Sequence, residues 1–298
     1  GSIYQHAIWQ GRFMTDKFRA TKPSTLLVFL NQRLKGWSKK NIKQRLQSGC
    51  VVVNGKAIAQ FDQRIAIDDL IEVLPKGSSR VVKRKKGALE ILFKDDDIVV
   101  INKPIGLLSV ASSSEKHKHA LEMLRQQLST KRTEVKLWPA HRLDRETSGV
   151  LLFATSRETR DRISDEWDKS EKTYLAVVEG KPDPAHGTIN QPLRQDENGF
   201  RAHVGKHAEA KRAVTHFKTM GAFPKRSLIE VKLETGRQHQ IRAHMEWLGH
   251  PIVGDSRYGS PDRRLGLHAL RLELDHPSSG RRLFFEALPP SDFEKLLR

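Results

Sequence analysis

The segment HRLDRETSG, residues 141–149, places a single carboxylate between two guanidinium groups. Asp144 follows Arg142 by two positions and directly precedes Arg145. A carboxylate that is ionised and shielded from water can act as a nucleophile, and such carboxylates form covalent intermediates at sugar centres. The same side chains can instead form a surface ion pair, which contributes little to stability. Taken alone, this segment favours the ion pair, so the rest of the chain must decide.

Residue types that bind metals or nucleotides give weaker signals. His239 and His244 are five positions apart, without the carboxylates or thiolates of a metal site nearby, and the pair His117 and His119 is equally isolated. We interpret these histidines as hydrogen-bonding or RNA-facing residues and predict no metal. The sequence also contains no Gly-rich loop of the Walker or dinucleotide type, so we expect no cofactor.

The elements that must position Asp144 begin near Glu90, where strand and helix patterns follow one another. Strands are predicted in DDIVVINKP, GVLLFAT, KTYLAVVEG, AVTHFKTM, SLIEVKLET and HALRLELDHP. Helices are predicted in HALEMLRQQL, SRETRDRISDEW and near RQHQIRAHMEWLG. Consecutive strands without regular crossover helices favour an antiparallel or mixed sheet. We therefore predict an α+β domain with a mixed, mainly antiparallel sheet over residues 90–298.

The residues ahead of this domain are strongly basic. Residues 1–90 contain 18 Lys and Arg against 6 Asp and Glu, so +12 of the net charge of +18 lies there. A positive field of this kind concentrates polyanions, of which nucleic acid is the commonest. We predict an irregular arm over 1–21, a small α/β domain over 22–75 and a basic linker over 76–89. The linker either is simply solvated or touches RNA.

The small domain carries a recognisable local pattern. Ser38 is placed to cap a helix, Ile42 and Leu46 lie on one face of it, and Gly49 suits its end. Asn54-Gly55 predicts a hairpin with a type I′ turn. The stretch resembles the S-four RNA-binding domain, which implies contacts to RNA phosphates. The basic residues left on the exposed sides of the helix, and predicted to bind RNA, are Lys39, Lys40, Lys43 and Arg45.

Three blocks of the larger domain carry a closer resemblance. PAHRLDRETSGVLLFAT, KTYLAVVEG and LETGRQHQIRAHMEWLGHPIVGDSRYG resemble, in that order, the signature blocks of the RluA-type pseudouridine synthases. NKPIGLLSV and LHALRLELDHP match flanking elements, so the resemblance spans about residues 90–290. It implies the pseudouridine synthase fold and an isomerase activity, in which uridine in RNA is detached from its ribose, turned and rejoined through carbon five.

The resemblance also assigns roles to individual residues. Asp144 is implied to be the nucleophile, attacking either the anomeric carbon or the uracil ring. Arg242, the second arginine of GRQHQIR, is implied to pair with Asp144, keeping it ionised and aimed. Tyr174 is implied to stack on the target base and to assist proton removal. Arg142 is implied to fill the space left when the nucleotide flips out of the RNA stack, a step that costs a few kcal/mol.

The predicted partner is RNA. Ribosomal RNA is favoured, because a front RNA-binding domain joined to this catalytic domain resembles the bacterial large-subunit enzymes, and transfer RNA stays open. No apolar run approaches the roughly 18 residues that span a membrane, so no membrane partner is expected. The single cysteine, Cys50, indicates a reducing compartment, and we expect a cytoplasmic protein. A monomer is the default expectation.

Two other classes of protein compete with the synthase. An RNA-binding or ribosome-assembly factor could keep the fold without the chemistry, although such a protein needs no combined set of Asp144, Tyr174 and Arg242. A glycosidase uses paired carboxylates, and no second acid accompanies Asp144 in the three blocks. The set of three residues therefore favours the synthase.

Overall fold

The computed structural model describes residues 16–58, 62–74 and 87–298. The chain divides into two compact units, Gln10–Gly87 and a larger one that includes Ala88–Arg298, and each is described by itself. Among the described residues, no helix combines the length and apolar character needed to cross a membrane.

The described residues form six α-helices, two 3-10 turns and eighteen β-strands. The helices are Leu26–Arg33 (α1), Lys39–Gln47 (α2), Ala120–Leu128 (α3), Arg157–Asp165 (α4), Gln240–Trp247 (α5) and Ser291–Glu294 (α6), with 3-10 turns at Trp167–Lys169 and Lys295–Leu297. The strands of the smaller unit are Asp16–Arg19 (β1), Ser24–Thr25 (β2), Val51–Val53 (β3), Lys56–Ala57 (β4), Arg64–Ile65 (β5) and Leu70–Val73 (β6). Those of the larger unit are Glu90–Lys94 (β7), Ile98–Lys103 (β8), Trp138–Pro139 (β9), Ser148–Ala154 (β10), Glu171–Glu179 (β11), His186–Asn190 (β12), Leu193–Gln195 (β13), Ala202–Val204 (β14), Val214–Ala222 (β15), Arg226–Leu233 (β16), Leu267–Asp275 (β17) and Arg282–Glu286 (β18).

The smaller unit packs α1 and α2 with a four-stranded sheet in the order β1-β6-β3-β4, while β2 pairs with β5. Ser38 caps α2 as predicted, because its hydroxyl accepts the backbone N–H of Asn41 at 3.1 Å. Ile42 and Leu46 are fully buried beneath this helix. Asn54 and Gly55 have φ angles of 49° and 83°, the left-handed values that the predicted turn between β3 and β4 requires.

The first strand of this unit corrects the predicted irregular arm over residues 1–21. Residues 16–19 form β1 and pair antiparallel with β6. The reason is alternation: Phe18 turns inward against Phe29, whereas Lys17 and Arg19 point to solvent. With one apolar residue in the strand, the pattern is too weak to read from sequence. The rest of the arm, residues 1–15, and most of the predicted linker lie outside the described residues.

The larger unit is built on one ten-stranded sheet, which confirms the predicted α+β class with a mixed, mainly antiparallel sheet. Eight strands follow the order β12-β15-β16-β11-β17-β10-β8-β7, with β18 beside β17 and β9 beside β10. Every pairing in this sheet is antiparallel except the one between β10 and β17 at its centre. All seven residues of β10 are buried, as its unbroken apolar sequence predicts.

Gly149 allows the central parallel pairing. Its φ of +119° is unfavourable for other residues, and a Cβ atom there would collide with the backbone of Ala269 on β17. The strands can therefore approach closely just after the turn that carries Asp144. This junction places the HRLDRETSG segment at the start of β10, beside β17.

Six strands of the larger unit were not predicted: β7, β9, β12, β13, β14 and β18. The strands β13 and β14 have only three residues each and form a separate two-stranded hairpin. Their sequences, LRQ and AHV, are too short for an alternating pattern to be detected. This hairpin packs near α5 through Ala202 and Ala243, which belong to one hydrophobic cluster.

Candidate active site

The structure brings Asp144 and Arg242 together from positions 98 residues apart. The Oδ2 atom of Asp144 lies 3.4 Å from Nη1 of Arg242 and 3.7 Å from Nε2 of His239. The Asp144 side chain remains 29% exposed, whereas those of Arg242 and His239 are 8% and 5% exposed. The carboxylate therefore sits at the opening of a buried basic site, in contact with it but still reachable.

The backbone around Asp144 is fixed from both sides. The Ser109 hydroxyl donates to the carbonyl of Leu143 at 2.8 Å and accepts the Leu143 N–H at 3.0 Å. The N–H of Leu152 on β10 donates to Nε2 of His141 at 3.1 Å, and the N–H of Thr147 closes a turn onto the Asp144 carbonyl at 3.1 Å. The loop is thus tied to β10 before any substrate arrives, which favours a preorganised carboxylate.

Lys103, at the end of β8, anchors the same loop from below. Its side chain is fully buried, and its ammonium donates to the carbonyls of Pro104, Leu107 and Arg145 at 3.0, 2.7 and 3.1 Å. Burial lowers the pKa of Lys103 to about 7, although the nearby Glu146 and Asp144 carboxylates oppose this shift. Lys103 belongs to the segment NKPIGLLSV, which was predicted to flank the signature blocks. No role was predicted for Lys103 itself.

The structure has the predicted contact between Arg242 and Asp144, but the main partner of Arg242 is Asp255, which was not predicted. The Arg242 Nε and Nη2 atoms donate to the two oxygens of Asp255, each at 2.8 Å, in a buried bidentate ion pair. Burial lowers the pKa of Arg242, but Asp255, with Asp144 further away, more than offsets this and the pKa lies above its ordinary value. Only Nη1 remains for Asp144. The physical reason is geometric, because a planar guanidinium can serve two carboxylates through different edges.

The Asp255 carboxylate is held in turn by its own loop. Its Oδ1 atom accepts the backbone N–H of Arg257 at 3.1 Å and of Tyr258 at 3.2 Å, and its side chain is not exposed at all. The loop belongs to the quoted block GDSRYG, but its contact with Arg242 depends on how the chain turns after α5. No residue-type signal in the sequence distinguishes this aspartate from a surface one.

His239 is a further residue of the site that was not predicted. It has a left-handed backbone with a φ of 57°, so α5 begins at Gln240 and later than the sequence pattern suggests. Its Nδ1 lies 3.0 Å from the hydroxyl of Tyr258, which also accepts the N–H of Ala202. Because this hydroxyl already accepts the Ala202 N–H, we assign its proton to the bond with Nδ1 and the imidazole proton to Nε2, toward Asp144.

Burial and the neighbouring charges together set the pKa of His239. Burial lowers its pKa, the Asp144 carboxylate raises it, and the cations of Arg242 and Arg257 lower it again, with a net value below the ordinary one. At neutral pH the imidazole is therefore uncharged. A neutral N–H near the carboxylate stabilises it by a dipole without neutralising its charge.

Tyr174 lies on β11 beside this site, next to a bulge in the pairing with β17. It packs against the hydrophobic clusters on both sides of the strand. Burial raises its pKa, and the negative charge of Asp144 raises it further. The phenol therefore stays protonated at physiological pH, which suits a stacking surface better than a base for proton removal.

Arg142 and Arg145 differ although they flank the same carboxylate. Arg142 is exposed and makes no side-chain hydrogen bond or ion pair with any residue in the described ranges. Arg145 donates from Nε to the carbonyl of Gly106 at 3.1 Å and lies 3.7 Å from Glu146. Arg142 is thus available to reach RNA, whereas Arg145 is engaged in the loop.

The four basic residues predicted to bind RNA in the smaller unit also differ. Lys39, Lys40 and Lys43 are exposed on α2. Arg45 is half-buried, donates to the carbonyl of Leu74, and places its guanidinium 4.8 Å from the centre of the Trp37 ring. Arg45 therefore contributes to the fold of the unit, and the three lysines present the more accessible charge.

One cluster resembles a metal site and was not predicted. Asp95, Asp97 and His276 bring ligand atoms together, with Nε2 of His276 2.9 Å from Asp95 and 3.7 Å from Asp97. However, Nδ1 of His276 accepts the N–H groups of Ser278 and Ser279, both at 3.1 Å. The proton of the neutral ring must then lie on Nε2, where it donates to Asp95. This chemistry fits a hydrogen-bonded link between strands and does not fit a metal ligand.

The fold and the site together define a class of protein. A central mixed sheet holds Asp144 near Tyr174 on β11 and beside Arg242 in the first turn of α5. The family described as RNA pseudouridylate synthase matches residues 97–247. The chain belongs to the RluA family of RNA pseudouridine synthases, and it is an isomerase that acts on uridines in RNA.

Individual relatives support this family over most of the chain. The uncharacterized RNA pseudouridine synthase YhcT of Bacillus subtilis is 34% identical over 83% of this chain and 82% of its own length. Ribosomal large subunit pseudouridine synthase D of Neisseria meningitidis is 32% identical over 90% of this chain and 76% of its own. Dual-specificity RNA pseudouridine synthase RluA of Escherichia coli is 38% identical over 69% and 94%. The solved structure of human RNA pseudouridylate synthase domain containing 4 matches with a TM-score of 0.59 and 26% identity, over 70% of this chain and 91% of that one.

Proposed function

We propose that Asp144 is the nucleophile of this synthase and that its substrate is large-subunit ribosomal RNA. The observation that supports the nucleophile is the contrast in contacts around Arg242. This arginine is held by Asp255 in two hydrogen bonds at 2.8 Å, while its remaining edge faces Asp144 at 3.4 Å. The carboxylate thus lies beside a fixed cation but is not held in a tight ion pair.

The reaction breaks the bond between N1 of uracil and the anomeric carbon and forms one between carbon five and that carbon. Asp144 attacks either the anomeric carbon or the ring, and it leaves again when the new bond forms. Carbon five loses one proton and N1 gains one, so the isomerisation balances without a redox partner. The raised pKa of Tyr174 assigns it to stacking on the base during this rotation.

Arg142 is proposed to hold the RNA open. The target nucleotide must leave the stack, at a cost of a few kcal/mol. Arg142 stands next to the nucleophile, and its exposed planar guanidinium can stack on bases and contact phosphates.

The choice of ribosomal RNA rests on two observations. One relative that covers 90% of this chain carries the name ribosomal large subunit pseudouridine synthase D. The smaller unit also presents Lys39, Lys40 and Lys43 on an exposed helix, as the S-four resemblance implies for a domain that binds phosphates of folded RNA.

Substitution Asp144→Asn tests the nucleophile. Asn is close in size but cannot attack, so pseudouridine formation falls by at least about a thousandfold while RNA binding persists. The matched control is Asp161→Asn, an aspartate paired with Arg160 on α4, which keeps wild-type activity. Equal modification by the Asp144 variant and the wild type overturns the assignment.

Mapping pseudouridines in cellular RNA, with and without the gene, tests the substrate. Loss of one or more sites in large-subunit ribosomal RNA supports the proposal. Loss confined to transfer RNA rejects ribosomal RNA and leaves the synthase activity intact.

The lysines of the smaller unit are tested by their salt dependence. Changing Lys39, Lys40 and Lys43 together to Gln removes phosphate contacts, so the slope of log affinity against log salt becomes shallower by about 2–3. The control changes Lys181, Lys218 and Lys225 of the larger unit, which are also exposed and carry the same charge. An identical slope in both variants shows that α2 is not an RNA-binding surface.

A further inference from the structure

Phe200 is an exposed aromatic residue at the tip of the β13–β14 hairpin. It is 56% exposed, although most large apolar side chains among the described residues are buried. A single exposed apolar residue needs no explanation by itself. Phe200 differs because the structure holds it in place and puts it beside the active site.

The tip of the hairpin is fixed by its own carboxylate. The two oxygens of Asp196 accept the N–H groups of Phe200 at 2.6 Å and of Arg201 at 3.0 Å. Gly199 supplies a φ of +63°, which a tight turn of this kind requires. The backbone that carries Phe200 is therefore ordered before any ligand binds, which lowers the entropy cost of using its side chain for binding.

A guanidinium group orients the Phe200 ring. The Arg257 guanidinium carbon lies 4.1 Å from the ring centre, and Arg257 Nη1 donates to the Phe200 carbonyl at 3.0 Å. Cations stack on aromatic faces in this way. The result is an exposed aromatic ring with a positive charge over one of its faces.

Two short links join this surface to the catalytic residues. The Gln238 amide donates to the carbonyl of Gly199 at 3.2 Å, and Gln238 directly precedes His239, the neighbour of Asp144. On the other side, the N–H of Arg257 donates to Asp255, the partner of Arg242. Phe200 is therefore linked on two sides to residues that neighbour Asp144 and Arg242.

We infer that Phe200 stacks against a nucleobase of the RNA next to the flipped uridine. When the uridine leaves the stack, its neighbours lose a stacking partner, and an aromatic face can replace it. The adjacent Arg257 adds attraction for the backbone phosphates. Arg142 from the HRLDRETSG loop and Phe200 from the hairpin then both contact the RNA. This inference rests on the RNA activity of the family and not on the choice of ribosomal RNA.

The test separates RNA binding from the chemical step. Its substrate is total RNA from cells in which the gene is deleted, which contains the unmodified target whatever its class. Pseudouridine formation is measured against RNA concentration for Phe200→Leu and Phe200→Trp. We expect Phe200→Leu to raise KM about tenfold, the order of a lost base stack, with kcat changed less than about twofold. Phe200→Trp, which retains an aromatic face, keeps a KM near that of the wild type.

Phe223→Leu is the matched control. Phe223 lies in the β15–β16 turn, at the opposite end of β15 from Val214, whose carbonyl accepts a hydrogen bond from Gln240 of α5. Its replacement leaves KM unchanged. A KM for Phe200→Leu equal to that of Phe223→Leu overturns the inference. A variant that is normal with purified RNA but fails in cells also overturns it, because the surface then serves a protein partner. If Asp144→Asn remains active, the nucleophile is wrong while the KM effect at Phe200 is unaffected.

Discussion

Two loops of the larger unit each present a carboxylate to the same arginine, and they do so differently. The loop after α5 buries Asp255 completely and binds Arg242 through two hydrogen bonds at 2.8 Å. The loop before β10 leaves Asp144 29% exposed, with one contact to Arg242 at 3.4 Å. One carboxylate is fixed in a buried ion pair, and the other, the proposed nucleophile, remains accessible to solvent.

The two loops differ in the hydrogen bonds that their carboxylate side chains make. Asp255 uses its oxygens on Arg242 and on backbone N–H groups, so little capacity remains for a substrate. Asp144 has its loop backbone fixed, through Leu143 and Arg145, while its side chain stays nearly unpaired. A preorganised backbone with a lightly engaged side chain is what a nucleophile needs, since it can attack without first breaking a strong ion pair.

Removing the Asp255 charge is expected to have the largest effect. Asp255→Asn leaves the Arg242 guanidinium buried without its main partner, so the free energy of unfolding falls by about 3–5 kcal/mol. Asp144→Asn, at the more exposed site, lowers it by less than about 1 kcal/mol. Denaturant unfolding of the two variants measures this. Equal losses in both would remove the distinction between the two loops.

Arg242→Lys tests the arginine that both loops share. An ammonium cannot make the bidentate contact with Asp255 and reach Asp144 at the same time. We expect kcat to fall about a hundredfold, with a smaller change in the KM for RNA, because the variant mainly loses the contact that orients Asp144. Single-turnover kinetics on RNA lacking the modification provide the measurement. A rate within threefold of the wild type would show that a simple positive charge is sufficient.

The sequence alone points to Asp144 and Arg242, whereas the part that Asp255 plays comes only from the structure. Asp144, Tyr174 and Arg242 stand in signature blocks, and the fold class follows from strands such as β10 that have unbroken apolar sequences. Asp255 stands in a quoted block too, but its role depends on a turn that brings it back to Arg242. Lys103 likewise joins two carbonyls of the segment that follows it to the carbonyl of distant Arg145, and no local pattern encodes such a convergence.

A hydrogen bond between Ser148 and His268 joins the start of β10 to β17. The Nδ1 atom of His268 accepts the hydroxyl of Ser148, and its Nε2 donates to the carbonyl of Ala287, both at 2.8 Å. This arrangement needs a neutral ring. Burial lowers the pKa of His268 to about 4, with the Ala287 hydrogen bond opposing it and Arg264 adding to it.

The pH dependence follows from this pKa. An unfolded histidine has a pKa near 6.5, so between pH 7 and pH 5 the unfolded chain gains a proton that folded His268 does not. Stability therefore falls as the pH falls, by about 2 kcal/mol from this residue. His268→Asn should remove that part of the slope in unfolding free energy against pH, whereas exposed His117→Asn should not. Equal slopes in wild type and His268→Asn would show that His268 does not contribute to the pH dependence of stability.

His239→Asn is expected to have the smallest effect. It changes only the surroundings of Asp144, the proposed nucleophile. Asn tolerates the left-handed backbone at this position, so the start of α5 is preserved. The variant removes the Nε2 proton that lies near Asp144 but leaves the pair of Arg242 and Asp255 intact. We expect kcat to fall about fivefold at constant KM, with the free energy of unfolding changed by less than about 1 kcal/mol. If kcat holds while stability falls, His239 belongs with Asp255 to the structural side of the site, and Asp144 depends on Arg242 alone.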